Sequence, residues 1–208
     1  MKKRYTRAAA AVAALVLAAV TVWCGYALET EDWIISSPYL PDAFDGLRIA
    51  LLSDVHGAEY GEGNSRLLAA VRESEPDLIA LSGDLVDEFT DLDMLEPLLN
   101  GLTSIAPAYY VTGNHEWARD DTESLLERIA SCGVTVLRNE YILLTRDGES
   151  IVLLGIEDEN AYAEMETPAE CMARVRAERG EEAFVLALFH RSDQMEMWSE
   201  LGADAVLA

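Results

Sequence analysis

Leu47–Gly57 reads LRIALLSDVHG. A continuous apolar run rich in Leu and Ile, bounded by polar turn residues, predicts a strand buried on both faces. Such strands belong to parallel sheets, and parallel strands need helical crossovers between them. The following sequence supplies them: NSRLLAAVRES has helical spacing at Leu67, Leu68 and Val71, and DLIALSGD is a second strand. DLDMLEPLLNGL then reads as a helix loosened by Pro97, APAYYVTGN as a strand, DTESLLERIASCG as a helix with an acidic first turn and a glycine stop, and VTVLRNE as a strand. YILLTRDGESIVLLGIED predicts a hairpin around Asp147 and Gly148. A helix around Ala169–Arg179, the strand AFVLALFH, a helix around Asp193–Leu201 and the apolar ADAVLA complete the alternation. The pattern specifies a layered α/β domain over residues 47–208.

Two segments precede it. MKKRYTR is basic, and Ala8–Trp23 carries no charge, extending through CGYAL to Leu28. About 20 apolar residues span a bilayer, so residues 1–28 are expected to form a transmembrane helix or signal anchor. The basic flank would stay cytoplasmic and place the domain on the extracytoplasmic side. The small residues of Gly25–Ala27 offer a rival reading as a cleaved signal peptide, which leaves the domain on the same side. Residues 29–46 read as an acidic, proline-containing linker with one edge strand at Trp33–Ser36.

Composition narrows the partners. With 15 basic against 38 acidic residues, the formal charge is -23, which repels nucleic-acid phosphates and excludes binding them through a basic patch. A phosphate-handling protein this acidic needs bound cations at its site. The 3 cysteines form no CxxC pair and suggest neither a disulfide framework nor a zinc knot. Nothing in the sequence specifies an oligomeric state.

Ligands of parallel α/β sheets collect at the carboxyl ends of strands. Those ends here read SDVHG (53–57), SGDLVD (82–87), GNHEW (113–117) and FHRSD (189–193), and they hold all 3 histidines of the chain. GNHEW alone is ambiguous, because Gly113 and Asn114 both tolerate the positive φ of a plain turn. Together the loops favour a metal site. Asp54 and His56 can turn toward one ion, Asp84 can bridge two with its two oxygens, and Asn114 and His190 can add an amide oxygen and an imidazole nitrogen. This mixed oxygen and nitrogen set suits manganese first, or iron or zinc. Two such ions can hold a hydroxide and clamp a phosphoryl group, and His115, as a histidine that is not a ligand, can protonate the leaving oxygen or steady charge on phosphorus. Asp87 and Glu116 read as supporting groups, and Trp117 as packing or a stacking surface.

These motifs, in this order, resemble those of the calcineurin-like metallophosphoesterases. The anchored architecture and GIEDEN at Gly155–Asn160 are similar to the membrane-associated phosphodiesterase branch, which includes UDP-2,3-diacylglucosamine hydrolase-like enzymes. The resemblance implies a four-layer α/β/β/α sandwich. It implies Asp54 and His56 on a first divalent ion, Asp84 bridging, Asn114 and His190 on a second, and His115 as the catalytic histidine. It further implies hydrolysis of a phosphodiester or pyrophosphate, with a lipid or cell-envelope precursor as the candidate substrate. Family members follow the strand resembling GADAVLA with a Gly-His-x-His loop, and the sequence ends at Ala208 without it. The expectation is therefore a C-terminally truncated member. The alternative is an inactive, membrane-anchored remnant that binds metal weakly or serves as an interaction domain.

Overall fold

Strand order decides where the helices go. The computed structural model describes residues 12–18, 20–21, 27–161 and 165–208. It divides into two units, Met1–Asp32 and Trp33–Ala208. In the second unit β1 (Ile49–Leu52), β2 (Leu78–Ser82), β3 (Ala108–Val111) and β4 (Thr135–Val136) form a four-stranded sheet in the order β1-β2-β3-β4, all parallel. The intervening helices are α1 (Ser65–Glu73), α2 (Leu95–Thr103), the single turn α3 (Asn114–Trp117) and α4 (Thr122–Ser131). Each crossover steps the same way across the sheet, and right-handed crossovers that do so deliver their helices to one face. Leu67 and Val71 of α1, Leu98, Leu99 and Leu102 of α2, and Leu125 and Ile129 of α4 are buried accordingly.

A second four-stranded sheet runs in the order β5-β6-β7-β8, comprising β5 (Glu140–Arg146), β6 (Glu149–Gly155), β7 (Val185–Leu188) and β8 (Ala205–Leu207). β5 and β6 form the antiparallel hairpin expected around Asp147 and Gly148, whose φ values of 50° and 88° fit a two-residue turn with both central residues left-handed. The remaining pairs are parallel and are connected through α5 (Pro168–Arg179) and α6 (Met195–Leu201). The start of α5 is closed by a capping box. Thr167 Oγ1 accepts the Glu170 N–H, the Glu170 carboxylate accepts the Thr167 N–H, and Pro168 fills the first helical position.

Side chains alternate between the two faces of each strand. Leu78, Ala80 and Val111 of the first sheet share a core with Leu153, Leu186, Leu188 and Leu207 of the second. On the opposite face of the second sheet, Val152, Leu154, Val185 and Ala187 pack with Cys171, Met172, Val175 and Trp198 of α5 and α6. The layers therefore run helices, sheet, sheet, helices. The carboxyl ends of the parallel strands are left free to carry chemistry.

Three expectations change. Residues 33–36 form no strand, and Trp33 and Ile34 are 83% and 94% exposed. Pro97 does not disrupt α2, because it falls in the first turn, where its missing N–H would have had no helical acceptor. VTVLRNE yields only the two-residue β4, since the chain must leave the first sheet there to begin β5 in the second. The expected span over residues 1–28 lies largely outside the described residues. Among the described residues no helix is long and apolar enough to cross a membrane.

Candidate metal centre

The loops after β1 and β2 are joined by backbone hydrogen bonds. The Asp54, His56 and Gly57 N–H groups donate to the carbonyls of Gly83, Asp84 and Leu85 at 3.3, 2.9 and 2.8 Å. To keep this ladder while turning inward, Asp54, His56 and Asp84 adopt left-handed φ values of 53°, 47° and 51°. Such conformations cost of order 1–3 kcal/mol each and persist only where surrounding contacts enforce them.

Glu116 supplies much of that enforcement. Its carboxylate is buried and accepts the N–H groups of Gly113, Asp84 and Val86 at 2.8, 2.9 and 3.3 Å, pinning the loop after β2 to the loop after β3. Burial pushes its carboxyl above the ordinary carboxylate range, while the Gly113 and Asp84 N–H groups oppose the rise. The two glycines interlock at this junction. A Cβ at Gly113 would lie 2.2 Å from Asp84 Oδ1, and one at Gly83 would lie 2.5 Å from the Gly113 nitrogen. Gly113 has φ −106°, so close approach, not a positive-φ turn, requires glycine there. GNHEW opens a helical turn and not the plain turn that its glycine-asparagine pair allowed.

Asp84 stands at the centre of the site. Its Oδ1 accepts the His115 N–H at 2.9 Å, which leaves Oδ2 facing three imidazoles. His190 Nε2, His56 Nε2 and His115 Nε2 lie 3.4, 3.9 and 4.0 Å from Oδ2, and Asp54 Oδ1 lies 3.6 Å from His56 Nε2. His190 comes from the second sheet and reaches across to the first. Its Nδ1 is 2.8 Å from the Ser82 carbonyl, which can only accept, so Nδ1 carries a proton, and in the neutral imidazole Nε2 presents a lone pair. That lone pair faces Asn114 Oδ1 at 3.2 Å as well as Asp84 Oδ2. With His190 neutral, its Nε2, Asp84 Oδ2 and Asn114 Oδ1 are three electron-pair donors facing one another. This arrangement is repulsive by itself and fits a divalent cation of mixed oxygen and nitrogen preference.

Two triads have ligand atoms within 4.8 Å of one another: Asp54, Asp84 and His190, and His56, Asp84 and His115. Asp84 belongs to both. All six residues singled out in the sequence, Asp54, His56, Asp84, Asn114, His115 and His190, are brought together in this one region. Asp54 Oδ1 and His56 Nε2, expected to share an ion, lie 3.6 Å apart, and His115 Nε2 also stands within reach of Asp84.

Three participants were not legible in the sequence. Glu88 Oε2 lies 3.1 Å from His115 Nδ1, and this hydrogen bond raises the imidazole pKa against the opposing effect of burial, with Asp84 adding to the rise. Glu88 sits in the acidic stretch Asp87–Glu96, whose sequence reads as a helix N-terminal face and its preceding loop. Asp158, which is buried, pairs with the partly exposed Arg191 beside the His190 loop. The only sequence signal for them was the charge in GIEDEN and FHRSD. Asp87, by contrast, serves its own turn, accepting from Phe89 N–H at 2.9 Å and Thr90 Oγ1 at 2.7 Å. Trp117 donates its Nε1–H to Thr112 Oγ1 at 2.8 Å, with the Arg138 guanidinium 5.8 Å from its ring.

The profile of the family described as calcineurin-like phosphoesterase matches residues 47–205. A transmembrane protein with metallophosphoesterase domain from Danio rerio is 33% identical over 127 residues, 57% of this chain and 29% of that protein. An uncharacterized metallophosphoesterase, YkuE, from Bacillus subtilis is 31% identical over 137 residues, 63% of this chain and 48% of its own length. The chain therefore spans half or less of the curated relatives it matches. Among solved structures, the Haemophilus influenzae NAD nucleotidase shares the fold, with a TM-score of 0.52 at 15% identity over 77% of this chain and 37% of that one.

Proposed function

We propose that this chain, which belongs to the calcineurin-like phosphoesterase family, hydrolyses a phosphodiester or pyrophosphate bond with the aid of two divalent cations, manganese foremost. The observation that carries the reading is the sharing of Asp84 by two ligand triads at the carboxyl ends of the strands. Asp54, His56, Asp84, Asn114 and His190 would hold the cations. When bound, such ions supply a hydroxide nucleophile near neutral pH and offset the negative charge of the phosphoryl oxygens.

The chain's own groups do the rest. His115, held by Glu88 at one ring nitrogen, presents the other toward the site and delivers a proton to the leaving oxygen. Glu116 keeps the Asp84 loop and the Asn114 turn in register through its bonds to Asp84 and Gly113. The strongly acidic chain offers an anionic substrate little attraction elsewhere, so cations at this site would direct its binding.

A membrane-tethered, extracytoplasmic enzyme acting on a lipid or cell-envelope phosphoester is the setting we favour. The uncharged run Ala8–Trp23 after a basic start supports it, as does the transmembrane description of the Danio rerio relative. Hydrolysis of bis-p-nitrophenyl phosphate with added Mn²⁺ tests the reaction. Turnover is expected to exceed that of His56→Ala and Asp84→Ala variants by at least about 100-fold, comparable to removing a major source of transition-state charge stabilisation. Equal rates in wild type and variants would remove the assignment.

A further inference from the structure

Asp158 and Arg191 lie outside the converging donors, yet the loops that carry two of those donors hang from them. Asp158 follows β6, and its side chain is 0% exposed. Its carboxylate receives both Nε and Nη2 of Arg191, the second at 3.0 Å, in the bidentate fork that fixes orientation as well as distance. The Asp158 N–H donates to Thr112 Oγ1 at 3.3 Å, and the same oxygen accepts the Trp117 indole N–H. Arg191 directly follows His190, and Thr112 lies just before Gly113 and Asn114. One buried residue therefore ties the His190 loop of the second sheet to the Asn114 loop of the first. Those are the loops whose Nε2 and Oδ1 face each other at 3.2 Å.

We propose that the Asp158–Arg191 pair is a positioning latch that holds the His190 imidazole in its Nδ1–H tautomer, with Nε2 aimed at Asp84. The inference rests on reading His190 as a metal ligand. A part-buried ion pair contributes little net stability compared with an apolar pair of similar shape, so its use here is orientation. The imidazole reaches the Ser82 carbonyl only if the backbone at residue 190 is held across the gap between the sheets. Arg191 provides that hold from the adjacent position. Groups that orient metal ligands typically change metal affinity by about 10–100-fold when altered.

The test uses the metal-free chain at about pH 8.5, about 2 units above the ordinary imidazole value. With only 3 histidines, long-range ¹H–¹⁵N spectra are simple, and a His190→Gln variant assigns the resonance. A single Nδ1–H tautomer is expected for His190 in the wild type. Asp158→Asn, which keeps shape, and Arg191→Lys, which keeps charge but loses the fork, should each give mixed tautomers with unchanged far-ultraviolet circular dichroism. In parallel calorimetric titrations, Mn²⁺ affinity should fall about 10–100-fold. A wild-type tautomer in both folded variants, or a mixed tautomer in the wild type itself, overturns the latch. Mixed tautomers in the variants of a chain that binds no Mn²⁺ would support the latch and defeat the metal reading alone.

Discussion

His115 and Glu88 show how far a single residue's role depends on a neighbour distant in sequence. The SGDLVD and GNHEW motifs placed Asp84 and His115 at strand ends, and the other histidine-bearing loops were needed to favour a metal site over a plain turn there. Glu88 was hidden because nothing local to it signals an imidazole partner 3.1 Å away. The hydrogen bond to Glu88 raises the His115 pKa, so the folded state holds this proton more tightly than the unfolded chain does. The stabilisation is fully present below the ordinary imidazole value of about 6.5 and is lost as pH rises through the elevated folded value. In the metal-free chain, an NMR titration should place His115 above that ordinary value, and Glu88→Gln should lower it. An unchanged midpoint in Glu88→Gln would show that the pair does not set the proton's affinity.

At the level of elements, hydrophobic pattern and punctuation located most strands and helices, while their pairing and exact reach came from tertiary contacts. The β5–β6 hairpin followed from Asp147–Gly148, whereas the capping box that starts α5 at Thr167 and Glu170 emerged only in the structure. Trp33–Ser36 has strand composition and remains unpaired, because composition alone does not supply a neighbouring edge. GNHEW was locally ambiguous for a related reason. Its glycine answers to Asp84 on another loop and not to its own φ. Gly113→Ala should therefore act as overpacking, destabilising the fold by about 1–3 kcal/mol in urea unfolding. Tolerance of alanine without loss of stability would mean that the two loops are not interlocked as described.

Over the whole molecule, two sheets share one core, and the candidate site straddles their carboxyl ends. Asp54, His56, Asp84, Asn114 and His115 come from the first sheet, and His190 arrives from the second after β7. The sequence order of motifs made the gathering legible. It could not show that Asp84 Oδ2 would lie within 4.0 Å of three imidazole nitrogens, because that depends on how the sheets stack. Asp84 is thus the point on which the functional reading turns, and calorimetric titration of the chain with Mn²⁺ tests it most directly. Wild-type chain should bind two ions saturably, and Asp84→Ala, with its fold retained by circular dichroism, should lose both together. An Asp84→Ala variant that binds Mn²⁺ as the wild type does, or a wild type that binds none, would contradict a shared two-cation centre.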